Sequence, residues 1–303
     1  MESSAYAQIR SRLQSMKEAP PGDIEQSRAA LDALLGRYPL PEGTQVEPAV
    51  VGGVDAEWID AGDADADRII LYLHGGAYTR GSFVSHRSLA ARLSAASHAR
   101  SLVIAYRLAP EHTFPAPVED ATTAYRRLLQ NGIRSDRLVI AGDSAGGGLA
   151  VATLLALREA GDPLPAGVVL LSPWTDLTGT ADSVRTLAQA DPWLNAERLS
   201  LVAGLYLDRA DPRNPLASPL YGDLRGLPPL LVQVGTDEIL LDDATTLAER
   251  AKAAGVEVTL EIWEQMWHVF QAFAAEIPEG QQAIDRIGTF VQQVTAHPVA
   301  PSR

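Results

Sequence analysis

The chain has 303 residues, 46% of them hydrophobic and 21% charged, a composition that excludes disordered and fibrous classes. It has no cysteine, so disulfides, thiolate metal sites and cysteine nucleophiles are excluded. The formal charge of −13 makes nucleic acid and anionic membrane surfaces poor partners.

The N-terminus, MESSAYAQIRSRL, has polar and charged residues where a signal peptide needs an apolar stretch. No apolar run approaches the roughly 20 residues of a membrane span, so a cytoplasmic protein is expected. The first forty residues read as helical. Ile9, Leu13 and Met16 fall at helical spacing, then Ile24, Leu31, Leu34 and Leu35 after the break at Pro20-Pro21-Gly22.

Two weak strand candidates follow, at Val46–Val51 and Ala56–Ile59. Short apolar runs come next at Ile69–Leu73, Leu102–Ala105, Leu138–Ala141, Val168–Leu171 and Leu230–Val234, with an alternating edge-type strand at Val258–Ile262. Helical patterns lie between them at Ser88–Ser97, Pro117–Gln130, Gly147–Glu159 and Asp243–Ala254. This alternation predicts an α/β fold with a mostly parallel sheet covered on both faces. Residues 179–226 break the pattern with helical pieces and prolines. The expected division is a catalytic core of 44–178 and 227–303, with 1–43 and 179–226 forming a helical cap.

Gly142-Asp143-Ser144-Ala145-Gly146 fits G-x-S-x-G between a strand and a helix, the context in which a nucleophilic serine stands on a tight turn. The helix N-terminus beneath it favours developing negative charge. His74-Gly75-Gly76-Ala77 follows the strand Ile69–Leu73, and its glycines let backbone N–H groups approach a substrate oxygen. Gly75, Gly76, Ala77 and Ala145 are therefore the candidate oxyanion donors, with His74 and Asp143 as support.

A serine hydroxyl needs a base, and the base an orienting carboxylate. His86, His98 and His297 read as surface histidines, and His74 and His112 as structural. His268 lies after the last strand and before the C-terminal helix, where chain order places the base. Asp237 follows the strand Val232–Val234 directly and is the expected acid, while Glu238, Asp242 and Asp243 read as a solvated helix start.

Together these segments resemble the bacterial hormone-sensitive-lipase family of α/β-hydrolases. The HGGA turn and GDSAGG are similar to its oxyanion and nucleophile motifs, and Tyr106–His112 to its YRLAPEH segment. Ser172-Pro173-Trp174 and the regions of Asp237 and His268 match in order, from about Ile69 to Phe273. The resemblance implies an eight-stranded core with a cap, no metal or cofactor, and esters of short to medium acids as substrates. A homodimer through the last strand is plausible by analogy. Ala77 replaces the motif's third glycine, and Trp267 stands where the family more often has a smaller residue. With Trp174, Trp193, Leu194 and Tyr206 it is a candidate lining of an apolar pocket, the alternative being plain cap–core packing.

The resulting expectation is a serine carboxylesterase with Ser144, His268 and Asp237 as its triad, acting on a small-molecule ester. Lactone opening and deacetylation of a natural product or sugar use the same machinery. A non-catalytic receptor on this fold lacks the histidine that His268 supplies.

Overall fold

A computed structural model describes residues 4–20 and 22–296. Its centre is an eight-stranded sheet of β1 (Gln45–Val51), β2 (Val54–Asp60), β3 (Asp65–Leu73), β4 (Ala99–Ile104), β5 (Leu138–Asp143), β6 (Gly167–Leu171), β7 (Leu230–Gly235) and β8 (Val258–Trp263). The spatial order is β1-β2-β4-β3-β5-β6-β7-β8. From β4 to β8 all neighbours run parallel, and β2 runs antiparallel to both β1 and β4.

The predicted apolar runs all fall on strands, because residues of a sheet buried on both faces cannot alternate with polar ones. Every residue of β5, β6 and β7 is buried. No residue of β8 is buried, in keeping with its place at the sheet edge.

One face is covered by α3 (Phe83–Ser97) and α9 (Pro278–Ala296), whose Leu89, Leu93, Ile284 and Ile287 pack on Ile70, Tyr72 and Val139. The other face carries α4 (Ala116–Gln130), α5 (Ala145–Glu159) and α8 (Leu241–Ala253). Helix α5 is buried almost all round, which explains its unbroken apolar and glycine composition.

The remaining helices sit beyond the carboxyl ends of the strands. They are α1 (Ser4–Glu18) and α2 (Ile24–Leu35) before the sheet, and α6 (Asp182–Thr186) and α7 (Ala196–Leu207) between β6 and β7. Ile9 and Leu13 of α1 and Leu31, Leu34 and Leu35 of α2 form a third apolar cluster with Trp267, Phe270 and Phe273. Polar ties join α1 to the 179–226 insertion. Lys17 Nζ donates to the carbonyls of Ala188 and Asp191, each at 2.6 Å, and Arg198 donates to the carbonyls of Met16 and Ala19.

Candidate active site

Ser144 occupies the turn between β5 and α5 with φ 53° and ψ −121°, a conformation that L-residues rarely adopt. The turn is held from all sides. Ser144 N–H donates to Leu171 O at 2.8 Å, and its carbonyl accepts from Gly147, Gly148 and Trp174. Gly146 is required here because a Cβ would stand 1.9 Å from Leu73 O. Ser144 is 8% exposed, and its hydroxyl has no hydrogen bond to protein among the described residues.

His268 follows β8. Its Nδ1 lies 2.8 Å from Glu238 Oε2, and Nε2 has no protein partner among the described residues. A neutral ring in this setting carries its proton on Nδ1, leaving Nε2 as the basic nitrogen. Glu238 is fully buried, and its other oxygen, Oε1, accepts from Ser172 Oγ and Gly235 N–H at 2.7 Å each. Val269 N–H donates in turn to Ser172 Oγ. One strand end, Leu171-Ser172, therefore anchors both the serine turn and the carboxylate–histidine pair.

The carboxylate facing the histidine is thus Glu238 rather than Asp237. Asp237 points the other way, its side chain 24% exposed, and its Oδ2 accepts from Arg10 of α1 at 2.8 Å. The turn after β7 separates two adjacent acids onto opposite sides. Its own Gly235 N–H holds the second acid inward.

The HGGA turn divides its N–H groups by task. Gly75 N–H donates to Asp143 Oδ1 at 2.9 Å, so it is already committed and is removed from the oxyanion candidates. Gly76, Ala77 and Ala145 have N–H groups without a partner among the described residues, and these three remain as candidate donors. Gly76 adopts φ +117°, with Arg80 O only 2.2 Å from where a Cβ would stand. Ala77 also has a positive φ of 56°, so the third motif position keeps its left-handed backbone despite the methyl group.

Asp143 braces this turn through Tyr72 Oη at 2.7 Å, the Gly75 N–H, and His86 Nε2 at 3.4 Å. Burial alone would raise its pKa. The charge and hydrogen bond of His86, with the Tyr72 and Gly75 hydrogen bonds, outweigh burial and hold it below the usual value. His86 is therefore a buried partner and not the surface residue that its polar neighbours suggested. His74 donates Nδ1–H to Gly75 O at 2.8 Å and stacks on Tyr106, whose hydroxyl donates to His74 O. Burial pushes the His74 pKa down to about 3, so the ring stays neutral and structural. His98 is half-exposed beside Asp63, His112 is exposed, and His297 lies outside the described residues.

A cavity of about 480 Å³ opens between α1, α2 and α7. Trp193 and Leu194 line it, and Trp193 also stands edge-on to His268 with ring centroids 5.9 Å apart. The other three pocket candidates pack in the interior. Trp174 is buried near Tyr78, Tyr206 stacks on Tyr78 at 3.8 Å, and Trp267 lies against Tyr6 and Phe273. Of the two readings of these rings, packing holds for those three.

The profile of the α/β hydrolase fold family matches residues 70–272. An esterase of the bacterial hormone-sensitive lipase family, known by crystal structure, is 49% identical with a TM-score of 0.95, covering 97% of this chain and 99% of its own. The chain belongs to this α/β-hydrolase family. An acetyl-hydrolase of Streptomyces hygroscopicus is 47% identical over 90% of this chain and 91% of its own length. An esterase of Acinetobacter venetianus is 39% identical over 87% of each.

In this hydrolase, sequence reasoning missed three residues of the site. Glu238 was hidden beside Asp237, and the only local hint was its place one residue further into the turn. Ser172 carries a positive φ of 45° that a non-glycine sequence does not advertise. The pairing of His86 with Asp143 spans 57 positions and leaves no local pattern. Among the described residues no cluster of histidines and carboxylates is arranged to hold a metal ion. No described helix is long and apolar enough to cross a membrane.

Proposed function

We propose that Ser144, His268 and Glu238 form the catalytic triad of a serine carboxylesterase that works through an acyl-enzyme. Supporting this most directly is the coincidence of a strained serine on the β5–α5 turn with three unclaimed N–H groups, Gly76, Ala77 and Ala145. In the first step Ser144 Oγ attacks the ester carbonyl as His268 Nε2 takes its proton. Glu238 holds Nδ1–H and stabilises the imidazolium that forms. The tetrahedral oxyanion is received by the N–H groups, and the alcohol leaves with the proton from His268. Water then enters, is deprotonated by the same nitrogen, and releases the acid.

Segments 1–43 and 179–226 act as the cap. The hydrogen bonds joining α1 to residues 188–198 and the cavity between them support this division. Short- to medium-chain acyl groups fit a cavity of about 480 Å³. A homodimer along β8 is supported by its position at the sheet edge and its exposed Ile262.

Initial rates on p-nitrophenyl acetate, butyrate, octanoate and palmitate test the reading, with Ser144→Ala as control. The expected result is fast turnover of the shorter esters and loss of several orders of magnitude in a variant that stays folded. Undiminished turnover by Ser144→Ala removes the serine from the mechanism. Deacetylation is a second reading, favoured by the acetyl-hydrolase relative. It predicts a kcat/KM for acetate well above that for butyrate.

A further inference from the structure

Two guanidinium groups line the apolar cavity beside the site, and neither has a carboxylate partner among the described residues. Arg80 donates through one terminal nitrogen to Ser27 Oγ at 3.0 Å, while its buried Nε has no hydrogen bond among the described residues. Arg198 donates to the carbonyls of Met16 and Ala19. No carboxylate oxygen lies within 4.0 Å of either group among the described residues. One acid, Asp23, lines the same cavity, with Oδ1 accepting Gln26 N–H at 2.8 Å.

The surroundings make this unusual. The protein carries a net charge of −13, and neighbouring arginines find acids readily, as Arg28 does with Glu111 and Arg10 with Asp237. A buried cation without a counter-charge is costly to a fold. Desolvation lowers the pKa of Arg80, and the nearby charge of Arg198 adds to the lowering. An incoming anion would relieve both effects, and a guanidinium presents a planar set of donors suited to a carboxylate.

The cavity meets the candidate site through Arg80 and Trp193. Arg80 N–H donates to Gly76 O at 3.1 Å, so Arg80 closes the turn that bears the oxyanion donors. Trp193, on the cavity wall, meets His268. Leu194 and Val202 supply apolar wall to the same cavity. We propose that the cavity binds the anionic end of the substrate, so that the preferred esters carry a carboxylate on an apolar arm, received by Arg80 and Arg198. This rests on the esterase reading of Ser144 and adds a substrate class to it.

The test compares two charged–neutral pairs. Mono-4-nitrophenyl glutarate is set against 4-nitrophenyl valerate, which places the charge on the acyl arm. 4-Carboxybutyl butyrate is set against pentyl butyrate, which places it on the alcohol arm. The wild-type enzyme is expected to favour the charged member of one pair by about tenfold or more in kcat/KM, mostly through KM, with the preference shrinking in high salt. Arg80→Met is expected to collapse that ratio and Arg80→Lys to restore part of it. Arg198→Met, at a partly exposed position, is expected to act in the same direction and serves if Arg80→Met does not fold. Hydrolysis of the neutral esters with no preference in either pair overturns the anion site alone, as does a preference that survives both methionine variants. No hydrolysis of any ester, with Ser144 unlabelled by a serine-directed phosphonate, overturns the esterase reading and this proposal with it.

Discussion

Oε2 of Glu238 stands 2.8 Å from Nδ1 of His268, while the carboxylate of Asp237, one residue earlier, reaches out to Arg10 on the first helix. Two adjacent acids thus serve different parts of the molecule. One is sealed against the imidazole, and the other fastens α1 to the loop that carries the first.

That division gives a direct comparison. Glu238→Gln keeps the volume but removes the charge that steadies an imidazolium, so kcat is expected to fall by about 10²–10⁴. Asp237→Asn is expected to cost less than about tenfold in kcat and up to about 1 kcal/mol in stability, because a partly exposed ion pair contributes little. Steady-state rates on p-nitrophenyl butyrate and urea unfolding of both variants decide it. A larger kcat loss in Asp237→Asn would reverse the assignment.

The oxyanion turn makes a second prediction. Gly76→Ala forces a Cβ against Arg80 O in a backbone conformation open mainly to glycine, and is expected to lower kcat by about 10²–10³. Ala77→Gly keeps its N–H and the left-handed backbone, so the rate is expected to stay within a few-fold of wild type. Equal losses in the two variants would show that the Ala77 methyl matters as much as the backbone at Gly76.

Asp143 links this turn to the core. Asp143→Ala leaves the Tyr72 hydroxyl, the Gly75 N–H and the His86 ring without their partner, and is expected to destabilise by about 3–5 kcal/mol. Its kcat is expected to fall as well, since Gly75 precedes the donors. Calorimetry showing a loss below about 1 kcal/mol would mean that water replaces the carboxylate.

Two buried carboxylates give stability opposite pH dependences. The lowered pKa of Asp143 means that its contribution is present above the ordinary carboxylate value and is lost as pH falls through its lower folded value. Asp243, which accepts the N–H groups of Thr175 and Asp176, is pushed up to about 7 by burial. The native state then binds its proton more tightly than the unfolded chain. Its contribution is full below the ordinary value of 3.8 and is lost as pH rises to about 7. Asp243→Asn retains an acceptor for both N–H groups and is expected to gain roughly 1–3 kcal/mol at pH 8 and nothing at pH 4. Urea midpoints at the two pH values test this, and a uniform loss would contradict it.

The sheet was legible because its signal is local. Apolar runs separated by helical patterns placed all eight strands, and the two glycine turns were visible where strands end. The serine motif was readable for the same reason, since its strand, turn and helix are contiguous. The carboxylate that faces His268 was not, because Asp237 and Glu238 differ by one position in a turn and only the three-dimensional course of the chain decides which faces inward. His86 was misread because Ser85-His86-Arg87-Ser88 looks like a solvated helix face, and the carboxylate that buries its ring lies far along the chain. Trp174, Tyr206 and Trp267 show a related limit, since an aromatic residue near a site in sequence serves packing and lining equally well.

The residues proposed to react follow β3, β5, β7 and β8, while the cavity wall comes from α1, α2, the stretch around α7, and Thr79 and Arg80 just past the oxyanion turn. Most of the wall is therefore written in stretches of the gene apart from the chemistry, and the two meet at Arg80. Drift in the wall leaves the bond-breaking apparatus intact, and selectivity is free to diverge between close relatives without a new reaction being invented.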